Sequence, residues 1–470
     1  MANLLEAYKN RLAISESVHQ RSHNGAKMSA QKKLMIASVL NNTSRFLNEA
    51  FSESAAVQKS AIGDWKKFCL NVSTTALPTL ILPELMLTQP MTSITGYVTY
   101  LRYTLGVNKG DNVRGTVINA PHRLGDMNES RALYTADRVK ETLTADLKLG
   151  WTPVAKVVKA VDTDGNDIDV SKWTVADNGT ITGDGVAAGV VVWYEYDNIV
   201  IPQKAHNADG DAIPTLTANM THIQLHAHAR RIAVYYSQIA AFQAKTDYGY
   251  DLGEQLSAQA QGELAYEIDT EGVLLLESGA EDDAALHFPS YEKSIEDTKT
   301  GSFISRSQYY EQFNEIIARA KKVIYQRTQK FAPNYMVVGA NILTILPYVK
   351  GWTAAPVSTV NGPYYAGSVD GLKVYVSPSI DENKFFFGVN GSDLQTSAAV
   401  YAPYMAIVPT QLLGFADGGM SQGFSTMYDM KLLNTYNRVD GKIVDTPNTM
   451  DNVEIGKYSY MLVAGKFEVA

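Results

Sequence analysis

The stretch from Asp251 to Ser278, DLGEQLSAQAQGELAYEIDTEGVLLLES, constrains this chain more than any other. It lacks proline, and Leu252, Leu256, Leu264, Ile268 and Leu275 return to one wide face at helical spacing. A long helix with one apolar stripe needs a surface to lie on, because packing supplies most helical stability in proteins. The rest of the chain offers one. A second helix, Ser307 to Gln329, carries Phe313, Ile316, Ile317, Ala320, Val323 and Ile324 at the i, i+3, i+4, i+7 spacing. Strands are expected over HIQLHAHARRIAVYYS, Tyr335 to Gly339, GLKVYVSP, KFFFGV, SAAVYAPYMAIV, Met427 to Leu433 and Tyr458 to Val463, with a short helix from Asn341 to Val349. Helices and strands are segregated along the chain, which indicates an α+β protein. At 470 residues it exceeds one ordinary core, so two or three lobes are expected.

Five segments stand apart. Residues 1–60 are polar and helix-prone, with Met35, Ile36, Val39, Leu40, Phe46, Leu47, Ala50 and Phe51 on a helical stripe. Such a segment, lying outside any clear domain, is expected to dock on a neighbour. Residues 61–105 hold apolar runs broken by Pro78, Pro83 and Pro90, and lead into the strand signal of QPMTSITGYVTYLR, Gln89 to Arg102. There Tyr97, Thr99 and Leu101 share one face, and Gly96 supplies permissive backbone just before it. Residues 106–150 read as a long polar loop. Residues 151–202 change character, with short β-rich runs separated by Asp-Gly, Asn-Gly and Gly-Asp-Gly turns, and are read as a compact all-β module of four or five strands. Residues 280–306 read as a charged loop. No repeat of solenoid period is present.

Composition narrows the functional classes. A net charge of −8 argues against a broad electrostatic grip on nucleic acid. No apolar run approaches the roughly 18 residues needed to span a bilayer, and the N-terminus lacks the apolar core of a signal peptide. The single cysteine, Cys69, excludes an internal disulfide.

Each apparent site motif has a simpler explanation. Asp162, Asp164 and Asn166 alternate as in a calcium loop, but Asp167 and Trp173 stand where that loop wants Gly and Glu, so a hairpin turn is expected. Gly183, Gly185 and Ala188 match a dinucleotide fingerprint, yet a strand, VVVWYEY, follows where a helix is required. His222, His226 and His228 fall on one face of an extended chain beside Gln224 and Arg230, with Ile223, Leu225, Ala227 and Ala229 opposite. That is the pattern of a half-buried strand, and no carboxylate or cysteine completes a metal set. No nucleophile motif or phosphate loop is found. The expectation is therefore no catalytic, metal or cofactor-binding residue, and no enzyme.

Several stretches, in order, resemble one family: the major capsid proteins of T-even-type tailed phages. QPMTSITGYVTYLR resembles the family's entry into its peripheral domain, and RFLNEAF upstream resembles its maturation site. ARRIAVYYSQIAAFQAKTDYGYDLGEQLSAQAQGELAYEIDTE is similar to the approach to the spine helix. APNYMVVGANILTIL and AAVYAPYMAIVPTQ are similar to parts of the axial domain. The resemblance implies a Hong Kong 97-type capsid fold. It divides the chain into an N-terminal arm (1–88), the start of the peripheral domain with the extended loop (89–150), an inserted β module (151–202), the peripheral domain with its spine helix (203–306), an axial domain (307–425) and a C-terminal return to the peripheral domain (426–470). It also implies one maturation cleavage, after Glu49 and before Ala50 in the motif that Leu47 begins, removing the helical N-terminus. The implied role is structural: hexamers in an icosahedral head shell around double-stranded DNA bound without sequence specificity. The implied place is the virion head, assembled in the host cytoplasm. Partners would be the chain itself, with room for a vertex protein, scaffold, portal and decoration proteins, and no membrane. The competing expectation is a β-rich surface-binding or carbohydrate-recognition protein that uses the 151–202 module.

Overall fold

The computed structural model describes residues 2–22, 27–52, 69–70, 74–111, 137–197, 215–298, 305–328, 330–356, 362–410, 412–439, 442–445 and 455–469. The chain forms two compact units, one from Met1–Val98 with His222–Ala470 and the other from Thr99–Thr221. It passes between them along two paired strands, Thr95–Leu105 and Leu216–His226.

The first unit is built on two sheets. The larger runs in the order Glu281–Asp282, Leu462–Glu468, Lys384–Gly388, Tyr335–Val338, Leu372–Val376, Tyr364–Val369, Thr353–Ala354, with Phe288–Pro289 also pairing with Leu462–Glu468. Its central strand, YMVV, is buried at every residue. A continuous apolar run marks a strand covered on both faces, which explains why it carries no polar alternation. The expected helix over Ser307 to Gln329 divides at Gln312 into Arg306–Glu311 and Phe313–Thr328. Phe313, Ile316, Ile317, Ala320 and Ile324 are buried as the spacing requires, and Val323 is partly buried.

The smaller sheet has the order Leu87–Thr88, Ala399–Pro409, Gly419–Leu432, His228–Ser237, with Leu413–Gly414 added beside Gly419–Leu432. The expected single strand from His222 to Ser237 is two strands. Ile223, Leu225 and Ala227 are buried, but from Arg230 onward the even-numbered residues are the more covered. The facing changes where the partner changes, from Thr95–Leu105 to Gly419–Leu432, and one residue of slip reverses every side chain.

The long helix is Leu252–Gly279, 28 residues and so about 42 Å at 1.5 Å per residue. Asp251 caps it by accepting from the Glu254 N–H at 3.1 Å. Its first half rests on the smaller sheet, where Ala260 and Leu264 join Ile407 and Phe424. Its second half enters the main core through Ile268, Val273 and Leu276. The expected Leu252, Leu256 and Leu275 are only half-buried, and Leu276 takes the place assigned to Leu275. The helix changes its supporting layer midway, so the buried stripe shifts. Gly272 permits the closest approach: a Cβ there would lie 2.1 Å from Leu82 Cδ2.

Residues 1–60 are helical as expected wherever described: Ala2–Ala7, Lys9–Ser22 and Ala30–Ser52. They dock on their own subunit rather than a neighbour, for Leu12, Met28, Met35, Ile36, Val39 and Leu40 are buried in the main core. Phe46 departs from the expected stripe and is 43% exposed. The segment 280–306, read as a loop, holds two short strands and the helix Tyr291–Thr298. Sheet membership also crosses the expected domain boundaries. Ala399–Pro409, placed with the axial domain, belongs to the smaller sheet with His228–Ser237, while Leu462–Glu468, placed with the peripheral return, lies in the larger sheet.

The second unit contains the expected β module, and the module begins earlier than residue 151. Its sheet runs Arg138–Thr142, Val191–Tyr196, Val154–Val161, Asp167–Ile168, beside a hairpin of Thr174–Val175 and Ile181–Thr182. Three of the five residues of RVKET are charged, so only Val139, fully buried, betrays it. Lys109 also belongs to this unit rather than to a loop. Fully buried, its ammonium lies 4.9 Å from the Tyr196 ring centre and 5.2 Å from that of Trp151.

Candidate functional site

The structure resolves the apparent motifs one by one. Asp162 closes a hairpin turn, its carboxylate accepting from the backbone N–H groups of Asp164 at 2.9 Å and Asn166 at 2.8 Å. Gly183, Gly185 and Ala188 lie in the connection before the strand Val191–Tyr196, with no helix following. His222 packs edge-on against Tyr97 and His226 edge-on against His228, each pair with ring centres 4.9 Å apart. Among the described residues no group of three or more His, Cys, Asp or Glu is arranged to hold a metal ion. Among them, too, no helix is long and apolar enough to cross a membrane. Cys69 is fully buried, and burial pushes its thiol up to about 12, which makes it a poor nucleophile.

Leu47, Glu49 and Ala50 all lie within the helix Ala30–Ser52. Leu47 is 1% exposed and packs with Cys69, Met405 and Val408, while Glu49 is exposed.

The feature that remains is a surface. At one end of the smaller sheet, large apolar side chains lie open in number: Tyr235, Ile239, Phe242, Tyr248 and Tyr250 from one segment, Leu412, Leu413 and Phe415 from another. Local geometry places them. Register aligns Leu413, Ser421 and Tyr235 across three neighbouring strands, so Leu413 and Tyr235 emerge on the same face. A turn closes Leu413–Gly414 onto Gly419–Leu432, with the Gly418 N–H donating to Phe415 O at 3.1 Å. The Tyr235 hydroxyl donates to Asp417 at 3.2 Å across that turn, where a Cβ on Gly419 would meet the hydroxyl oxygen at 2.2 Å. Tyr235 and Phe415 then sit with ring centres 6.4 Å apart.

Ser237 ends the strand and caps the short helix Gln238–Gln243, its hydroxyl accepting from the Ala240 N–H at 3.2 Å. Ile239 and Phe242, three residues apart, share a face of that helix and are 72% and 71% exposed. A turn of π-helix, Ala244–Tyr248, follows and stops at Gly249, whose φ of 74° suits glycine. Tyr248 and Tyr250, which follow in the chain, are exposed as well, their ring centres 6.0 Å apart. Exposed apolar surface clustered in this way marks an interaction site. The sequence reading missed it, although IAAF places two large apolar residues at helical spacing with nothing nearby to bury them.

Comparison with known proteins supplies the context. A family model described as "Major capsid protein Gp23" matches residues 62–459. Among solved structures, a chain from Microbacterium phage Oxtober96 is 12% identical, with 83% of this chain and 91% of that one covered, at a TM-score of 0.35. A chain from Mycobacterium phage Che8 is 16% identical, covering 57% and 79%, at 0.34. One described as the capsid of Myoviridae phage XM1 is 10% identical, covering 49% and 77%, at 0.33. No curated protein matches. The family match carries the assignment, and the superpositions at these scores add no argument of their own.

Proposed function

This chain belongs to the family of the major capsid protein Gp23, and from that premise we propose that it builds its shell through the apolar patch at the end of the smaller sheet. Its role is that of a phage major capsid protein, which self-assembles into a capsid shell and resides in the virion head. The family match over residues 62–459 carries this reading, and nothing in that match favours a carbohydrate-binding protein. The patch supplies what assembly needs. Ile239, Phe242 and Tyr248 are each more than 70% exposed in the single subunit, and burying them between copies removes apolar surface from water. Hexamers as the building unit, assembly in the host cytoplasm, enclosed double-stranded DNA and the absence of catalysis are parts of the same proposal. So are a vertex protein, scaffold, portal and decoration proteins as partners.

Negative-stain microscopy of the expressed protein is the direct test. Shells, tubes or hexameric plates are expected. Discrete monomers and small oligomers at every concentration and salt tested would overturn the assembly reading.

The β module is proposed to be a peripheral insertion on the shell's outer surface. A cut at Thr152 to Asn198 would strand Arg138–Thr142, so the removable piece is larger. Gly106 and Thr215 bracket it, already joined by a 2.8 Å backbone hydrogen bond. Replacing residues 107–214 with a short linker is expected to leave a soluble subunit that melts cooperatively, because the module has its own core around Val139, Trp173, Val192 and Tyr194. Loss of folded protein on that deletion would contradict a peripheral insertion.

A further inference from the structure

We propose that Asn178 is a self-modifying site: in the folded chain the backbone nitrogen of Gly179 displaces its side-chain amide, and the residue ages to aspartate and isoaspartate. Asn178 and Gly179 form the tip of the hairpin between Thr174–Val175 and Ile181–Thr182. The Ala176 N–H donates to Thr180 O at 2.9 Å and the Gly179 N–H to Ala176 O at 2.8 Å, while Gly179 takes a φ of 82°. Ala176, Asp177 and Asn178 are exposed, so water and hydroxide reach the tip.

The turn supplies what the reaction needs. Asn178 Oδ1 accepts from the Thr180 N–H at 3.1 Å, two residues on. The loop closed by that bond contains, in order, Cγ, Cβ, Cα and the carbonyl carbon of Asn178, then the nitrogen of Gly179. These are the members of the succinimide ring, so the side chain already curls over the nitrogen that attacks it. The same Thr180 N–H sits on the oxygen that gains negative charge as the nitrogen adds, where a donor stabilises the developing oxyanion. Glycine is also fixed at the next position, since a Cβ there would lie 2.5 Å from Leu149 O and 2.8 Å from Thr152 Cγ2. The turn therefore keeps the residue that hinders the attack least.

Hydroxide takes the Gly179 N–H proton when the exposed turn opens away from Ala176 O. The nitrogen bonds to Cγ, the Cγ–Nδ2 bond breaks, and Nδ2 leaves as ammonia with a proton from water. A second water opens the ring at either carbonyl, giving aspartate or isoaspartate with no oxidant or cofactor. Both products add a negative charge to the tip, and isoaspartate also lengthens the main chain through Cβ. That change falls beside Ile181, 1% exposed in the module's core, and beside the Leu149 N–H bond to Gly179 O at 2.9 Å.

A second pair, Asn390–Gly391, is held differently. Its Nδ2 donates to Glu84 O at 2.9 Å, its Oδ1 accepts from the Ser397 hydroxyl at 3.3 Å, and the Gly391 N–H donates to Ser397 Oγ at 3.1 Å. The group that must leave and the nitrogen that must attack are both tied down, and Asn390 is half-buried.

The test is peptide mapping by mass spectrometry of the full-length subunit kept in warm, mildly alkaline buffer, native and in urea. Labelling by an isoaspartyl methyltransferase identifies the isoaspartate product. Asn178 is expected to convert in the native chain at least as fast as in the unfolded one. It is expected to convert about tenfold or more faster than native Asn390, whose hydrogen bonds must break before attack. In urea the two rates are expected to converge. A native rate at Asn178 below its unfolded rate would show that the turn shields the amide and would overturn the proposal, as would equal native rates at the two sites. The readout is the mass of one peptide, so it is independent of shell assembly.

Discussion

Serine at both Ile239 and Phe242 is expected to abolish shell formation while leaving the subunit's thermal melt unchanged. In the isolated subunit these side chains are 72% and 71% exposed on the helix Gln238–Gln243, so the fold gains little from them. At an interface between copies they are the kind of apolar anchor whose truncation costs roughly 2 kcal/mol or more each. About 4 kcal/mol for the pair is nearly a thousandfold in the affinity of one contact. A shell repeats that contact in every subunit, so assembly should fail at any accessible concentration. Melting of purified subunits and particle counts by microscopy would be read together. Shells at wild-type yield would dismiss the patch as the assembly surface. A lowered melting point would show that the two residues support the fold instead.

That surface is also where reading the sequence alone falls short. The pattern of buried residues is legible because burial imposes a period, and Phe313, Ile316, Ile317, Ala320 and Ile324 are all found where the i, i+3, i+4 rule places them. An assembly surface imposes no period inside one chain. Ile239, Phe242 and Tyr248 look like core residues in the sequence, and only the folded subunit shows them 72%, 71% and 75% exposed.

Other misses have equally local causes. Arg138–Thr142 pairs along its whole length with Val191–Tyr196, from Arg138 opposite Glu195 to Thr142 opposite Val191, but its outward side chains are charged and mask the strand. The change of facing at Ala227 is invisible until the partner strands are known, since either phase of His222 to Ser237 alternates acceptably. Residues 1–60 show a clear helical stripe, yet a stripe does not say whose core it joins. Here it joins the subunit's own, and Lys32, an ordinary surface residue by type, proves to be among the most buried. The turn at Asp162 and the glycines at 183 and 185 are flanked by strands, a matter of local pattern that needs no tertiary information.

The long helix offers the second large effect, and it separates the face read from the sequence from the face found in the fold. Leu264 is 1% exposed and lies against Ile407 and Phe424, with Ile232 and Val234 beside them. Leu276 is fully buried in the main core, whereas its neighbour Leu275 is only half-covered. A buried Leu→Ala change costs about 2–5 kcal/mol, from lost transfer energy and the cavity left behind. Against a net stability of about 5–15 kcal/mol that is enough to deplete folded subunit. Leu264→Ala and Leu276→Ala should therefore each lower the melting point by several degrees and reduce particle number together. Glu263→Ala, at an exposed position one residue from Leu264, should change neither. Leu275→Ala should fall between, because part of its side chain already meets water. Denaturant melts of the four variants give the ordering directly. If Leu275→Ala proves as costly as Leu276→Ala, the buried stripe continues straight along the helix and the shift between layers is wrong. If Leu264→Ala melts like the parent, the helix is not seated on the smaller sheet at all.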